Sequence, residues 1–201
     1  PAATVKIGGT KLEETGPLLI THWGLSGPAV LKLSARGARE LAERNYHFPI
    51  TVNWLPGQQD QQLALQFRGI RQELAAQKIG IRNPFALPQR LWDLLLELSG
   101  IDQEKRWADL PVKEQNKLVV NMVQCSFEVK GKTTFKEEFV TAGGIRLNDI
   151  DVNTMQSKIL PGLYFAGEIM DVDGVTGGFN FQHAWTSGFI AASSVAARGN
   201  E

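Results

Sequence analysis

The spacing of hydrophobic positions changes repeatedly along this chain, and each change marks an element. Residues 4–7, 17–21 and 48–54 are β-rich runs bounded by Gly, Pro and Asn, and predict strands. Between the second and the third, Ser26 reads as an N-cap and Pro28 as the first turn of a helix. Val30, Leu33, Gly37 and Leu41 would form its inner face, leaving Arg36, Arg39, Glu40, Glu43 and Arg44 mostly as solvated surface. After Leu55-Pro56-Gly57 the period turns helical, with Leu63, Phe67, Ile70 and Leu74 in step. Asn83-Pro84 breaks that helix, and Pro88 opens another in which Leu91, Trp92, Leu94, Leu95, Leu96 and Leu98 are too apolar for an exposed surface. Gly100 ends it, and Pro111 starts a helix facing inward through Leu118, Val119, Met122 and Val123. Strand character returns at residues 126–130 and near 133–135, a predicted hairpin about Gly131-Lys132. Residues 138–141 then lead into Gly143-Gly144.

The last part of the chain carries the chemistry. The apolar run Leu163-Tyr164-Phe165-Ala166 has the length and composition of a buried strand, and it stops at Gly167-Glu168. A loop with Asp171, Asp173 and Gly174 follows, and Thr176-Gly177-Gly178 opens a helix. Ala184, Gly188, Ala191 and Ala192 would let that helix lie close against a sheet beside Trp185, Phe189 and Val195. A strand, a glycine-rich turn and a helix N-terminus direct backbone N–H groups and the positive end of a helix dipole at a ligand. Glu168 supplies an acceptor-only side chain suited to sugar or polyol hydroxyls, and Thr176 to Asn180 supply donors. That combination suits the ribityl chain and pyrimidine end of a flavin, and other polar ligands as well. A tight turn with a solvated Glu168 is the purely structural alternative.

Composition narrows the class. Hydrophobic residues make up 43% and charged residues 21%, which predicts a packed globular protein. Twenty-one basic residues balance 21 acidic ones, so neither nucleic acid nor an anionic membrane is the expected main partner. No apolar run reaches the length of a membrane span, and no signal peptide opens the chain. The single cysteine, Cys125, excludes an intramolecular disulfide, fits a cytoplasmic setting and reads as a core residue. No His, Glu or Cys spacing of metal-ligand type occurs in the helical region. His22, beside a glycine-serine turn, is a weak candidate for an acid–base group; hydrogen bonding to a loop carbonyl is its structural alternative.

Two long motifs resemble one family. The first runs from Thr141-Ala142-Gly143-Gly144-Ile145 through Asn148-Asp149-Ile150-Asp151 and Gly162-Leu163-Tyr164-Phe165-Ala166-Gly167-Glu168 to Asp171-Val172-Asp173-Gly174 and Thr176-Gly177-Gly178-Phe179-Asn180. The second is Thr21-His22-Trp23-Gly24-Leu25-Ser26-Gly27-Pro28. Both resemble the bacterial NAD(P)/FAD-dependent oxidoreductases that carry an inserted domain, some of them aminoacetone oxidase-like or bile-acid dehydro-steroid reductase-like. The resemblance implies an α+β arrangement: a small β-barrel-like domain interrupted by a helical bundle, inserted into a Rossmann-like FAD-binding domain. The boundaries would be residues 1–57 for the β-rich part, 58–124 for the helices, 125–140 for the return strands and 141–201 for the FAD segment. No strand–GxGxxG–helix fingerprint is present. The resemblance puts it ahead of the inserted domain, so the expectation is a C-terminal part without the ADP-binding half of the FAD site.

The resulting expectation is a flavin-dependent oxidoreductase acting on a small molecule, with NAD(P)H as a further partner and FAD as cofactor. Thr141, Gly143 and Gly144 would approach the flavin ring, and Gly167 and Glu168 would take the ribityl chain. Asp173, Gly174, Thr176, Gly177, Gly178, Phe179 and Asn180 would surround the pyrimidine edge. Two other classes stay open. One is a regulatory module retaining a flavoprotein-like segment; the other is a small barrel that binds a protein or RNA.

Overall fold

The computed structural model describes residues 2–132, 140–175 and 177–199, which group into two compact units. The first unit comprises residues 1–33 and 44–131, and the second residues 34–43 and 132–201.

In the first unit, strands β1 (Ala2–Ile7), β2 (Glu13–Pro17), β5 (His47–Asn53) and β6 (Cys125–Lys130) form an antiparallel sheet in the order β2-β1-β5-β6. Alternation sets its buried face. Ala3, Val5 and Ile7 of β1 are buried with Phe48, Ile50 and Val52 of β5, in a register that pairs Val5 with Val52 and Ile7 with Ile50. Pro49 sits in this central strand because β1 pairing stops at Ile50, and a Cβ on Gly8 would lie 2.7 Å from the proline ring. The run predicted at residues 17–21 belongs to two strands, since β2 ends at Pro17 and β3 (Leu19–Thr21) pairs with β4 (Gly24–Ser26) as a separate hairpin. Among the described residues the sheet does not close into a barrel. Residues 133–139, which include the predicted hairpin partner, lie outside the described ones.

The helix predicted after Ser26 is two helices, α1 (Pro28–Arg36) and α2 (Ala38–Glu43), separated at Gly37. Ser26 is the last residue of β4 and not the cap. Gly27, at φ +97, occupies that position and accepts from the Leu31 N–H at 3.0 Å. Helices α3 (Asp60–Glu73), α4 (Gln89–Ser99) and α5 (Val112–Val123) follow the predicted periodicity, although α3 stops well before Asn83-Pro84. Gly100 terminates α4 in the left-handed conformation. Leu98 is 48% exposed, whereas Leu91, Trp92, Leu95 and Leu96 are buried. Phe67, Phe85, Trp92 and Trp107 form an aromatic cluster with ring centroids 5.4–6.2 Å apart. The Trp92 indole donates to the Ile79 carbonyl at 2.8 Å, which satisfies its buried N–H. The Trp54 backbone N–H donates to the Met122 carbonyl at 2.9 Å, tying α5 to the end of β5. Cys125 is buried at the start of β6, and its burial pushes the thiol pKa up while the Trp54 indole opposes the shift.

In the second unit, β7 (Ile150–Asp151) and β8 (Gln156–Ser157) form a short ribbon, and α6 (Phe179–Arg198) is the long helix. Buried Ile150, Met155 and Met170 make its core, with Ile145, Phe165, Val172, Ile190 and Ala191 packed around them. The apolar run at residues 163–166 is extended but is not a buried strand. It bonds on one side only, through Ser157 N–H to the Leu163 carbonyl and Phe165 N–H to the Met155 carbonyl, and Leu163 is 41% exposed. Its partner ribbon is too short to propagate a ladder. α6 packs through Ser187, Ile190 and Ala191, leaving Phe181, Trp185 and Phe189 exposed, so among the described residues no sheet lies against it.

Candidate functional site

The predicted site residues gather on three connected pieces of the second unit. The first is the segment 140–145. Ile145 forms a parallel bridge with Met170: its N–H donates to the Ile169 carbonyl and its carbonyl accepts from the Asp171 N–H, both at 2.9 Å. Gly144 makes that approach possible. A Cβ there would stand 2.5 Å from the Ile169 carbonyl oxygen, with φ at +132. Gly143, at φ +113, has nothing within 4 Å of a built Cβ, and Thr141 is exposed. One glycine of the pair serves the chain itself and the other faces open space.

The second piece is the turn after residue 166. Gly167 adopts φ +74 and starts a single 3-10 turn, Gly167–Ile169. Its N–H donates to the buried Ser187 hydroxyl at 2.9 Å, anchoring the turn on α6. Glu168 projects from this turn as an exposed residue.

The third piece is the loop into α6. The amide of Asn180 grips Gly174 from both sides, accepting from its N–H at 2.7 Å and donating to its carbonyl at 3.1 Å. Asn180 is therefore committed to the loop. Gly178, at φ +92, is the N-cap of α6, and among the described residues no side chain caps the first-turn N–H donors there. Gly178 has nothing within 4 Å of a built Cβ, and Gly177 meets only the Phe179 ring. Phe179 is 64% exposed, Asp173 is exposed, and Thr176 lies outside the described residues. Open glycine backbone, uncapped donors and an uncovered aromatic ring suit a planar ligand with acceptor atoms on one edge, which is the chemistry of a flavin pyrimidine. The residues present fit that group.

Three features here had no signal in the hydrophobic pattern. Arg39 of α2 pairs with Asp171, from one guanidinium nitrogen to both carboxylate oxygens, across 132 residues of sequence. That pairing raises the Arg39 pKa further, with Asp173 adding to it. Ser187 holds Gly167, and the Nε2 of His183 is buried with no partner among the described residues. His22 stands exposed in the His22-Trp23 turn between β3 and β4 of the first unit, its ring 6.2 Å from that of Trp23, and among the described residues no carboxylate holds it. Among the described residues no group of three or more His, Cys, Asp or Glu could hold a metal ion, and no helix is long and apolar enough to cross a membrane.

Residues 1–140 match a family model described as the HI0933-like protein barrel and H2TH domain. The chain belongs to this family. Among its relatives, a ribosomal RNA dihydrouridine synthase of Escherichia coli is 34% identical over 98% of the chain and 46% of its own length. A 3-dehydro-bile acid delta(4,6)-reductase of Clostridium scindens is 30% identical over 92% of the chain and 45% of its own. A ribosomal RNA dihydrouridine synthase of Haemophilus influenzae is 33% identical over 89% of the chain and 42% of its own. The chain thus spans about half the length of the curated relatives it matches. All three relatives carry the names of enzymes.

Proposed function

We propose that this chain is part of an FAD-dependent oxidoreductase that reduces a ring carbon–carbon double bond conjugated with a carbonyl. The observation carrying the reading is the uncapped N-terminus of α6, flanked by the open glycines Gly177 and Gly178. When bound, the flavin supplies the hydride. The chain's own part is to bind and orient it. Gly143 leaves room for a planar ring, Glu168 accepts from the ribityl hydroxyls, and the first-turn N–H groups of α6 stabilise negative charge at the pyrimidine edge. Gly144, Gly167, Gly174 and Asn180 fix the backbone that presents these groups.

The relatives' names support the reaction class. Dihydrouridine is uridine with its ring double bond reduced, and a delta(4,6)-reductase acts on carbon–carbon double bonds of a 3-oxo ring system. Two substrates follow. The relatives named for ribosomal RNA favour a uracil ring in RNA, while the balanced charge of this chain favours a small unsaturated ketone, with NAD(P)H as the electron source. The test uses the intact protein. FAD titration of the apoprotein should give a stoichiometric complex, weakened about tenfold or more by Glu168→Ala as a charged hydrogen bond to a buried hydroxyl is lost. Oxidation of the reduced protein by a ribosomal RNA transcript or by a 3-oxo-diene bile acid then assigns the substrate. A protein that takes up no FAD would refute the reading.

A further inference from the structure

Resting on the flavoprotein reading, one interaction outside the predicted site bears on how the site is held. The loop 171–174 is pinned at both ends. Its first residue bonds Ile145 through the backbone, and its last is gripped by Asn180. Val172 packs into the core between them. What remains is charge: Asp171 and Asp173 stand two residues apart, in the loop that precedes α6. Arg39 is bonded to the first and attracted by the second. Ala35, Arg36, Ala38, Arg39, Glu40 and the two aspartates line one cavity of about 450 Å³, so the pair faces an open space and not a packed core.

We propose that Arg39 is a positioning residue for the flavin, holding the loop 171–174 by compensating Asp171 and Asp173 together. Without the guanidinium, two carboxylates repel one another along the segment that leads into the donor end of α6. The loop then rests on its backbone bond to Ile145 and the Asn180 grip alone. Its uncompensated charge also opposes the negative charge that the site has to stabilise in reduced flavin. A surface ion pair of ordinary function would contribute little to stability and nothing to redox behaviour.

The experiment compares the intact wild-type protein with Arg39→Ala and Arg39→Ala/Asp171→Asn. Apoprotein titration with FAD gives the dissociation constant, and redox titration gives the midpoint potential. We expect Arg39→Ala to raise the dissociation constant about two- to fivefold and to lower the potential. Adding Asp171→Asn should bring both part-way back, because it removes a charge that Arg39 no longer balances. Values for Arg39→Ala equal to wild type, or no recovery in the double variant, would overturn the proposal while leaving the flavoprotein reading intact. A wild-type protein that binds no FAD overturns both. Should Arg39→Ala fail to fold, Arg39→Gln and Arg39→Lys replace it: the potential should fall with glutamine and hold with lysine, and equal potentials would overturn the proposal.

Discussion

Gly143 and Gly144 are adjacent and both adopt positive φ, yet the structure gives them opposite surroundings, which makes them a matched pair. Placing alanine at either position forces a side chain into a conformation that costs about 1–3 kcal/mol. At Gly143 that strain is the whole effect, since nothing lies within 4 Å of the new Cβ. At Gly144 the Cβ would fall 2.5 Å from the Ile169 carbonyl oxygen and 2.8 Å from the Met170 carbonyl carbon, neither of which is the movable end of a side chain. The bridge has to open, breaking the bonds Ile145 N–H to Ile169 and Asp171 N–H to Ile145. At about 1 kcal/mol each, they add about 2 kcal/mol to the strain. Amide exchange at Ile145 and Asp171 reads this directly, with protection about thirtyfold lower in Gly144→Ala than in Gly143→Ala. FAD titration of the intact protein should reverse the emphasis, Gly143→Ala losing flavin while keeping both amides protected. Equal protection in the two variants would refute the assignment of Gly144 to the bridge.

Three further outcomes follow from the same geometry. Ser187→Ala leaves the Gly167 N–H without its acceptor and should destabilise the second unit by about 1–3 kcal/mol, checked by chemical denaturation monitored there. Asp151 is held below its ordinary pKa, chiefly by the Asn153 backbone N–H. The stability it contributes is present above the unfolded value of 3.8 and is lost as pH falls through the lower folded value, so amide exchange at Asn153 should accelerate below about pH 4 in the wild type and show no such step in Asp151→Asn. Burial should keep the Cys125 thiol slow toward a disulfide reagent at pH 8 and fast once unfolded; rapid native reaction would contradict its core position.

The elements that periodicity reveals are those whose burial is one-sided. Val5 and Ile7 alternate toward one core, and Leu118 and Met122 repeat at helical spacing, so β1 and α5 lie where the pattern puts them. Glycine misleads in both directions. Gly37 fits the inner face of one long helix, but with no side chain to pack it divides α1 from α2. Gly143 and Gly144 read as sharing one role beside a flavin ring, and only the three-dimensional bridge to Met170 separates them. The run 163–166 has strand composition, and its lack of a ladder depends on what lies beside it, which composition does not record. Arg39 carried the charge of an ordinary surface residue, because its partner Asp171 is 132 residues away. Asn180 is a donor in either reading, but its commitment to Gly174 appears only once the loop is folded.

The division of the chain has a consequence for the order of assembly. Residues 34–43 reach their companions at 132–201 only after the chain has travelled through roughly ninety intervening residues, and closing so long a loop from a disordered state costs about 4 kcal/mol of entropy. Within the intervening part, β5 and β6 pair so that His47 stands opposite Lys130. Once that ladder forms, the two ends of the long detour are neighbours, and the closure has already been made. The Arg39–Asp171 pair then joins segments that the sheet has brought into reach. The β5–β6 ladder thus makes the closure that residues 34–43 and 132–201 need. A mutation that weakens the β5–β6 ladder should therefore slow the appearance of the Ile150, Met155 and Met170 core, none of whose residues it touches.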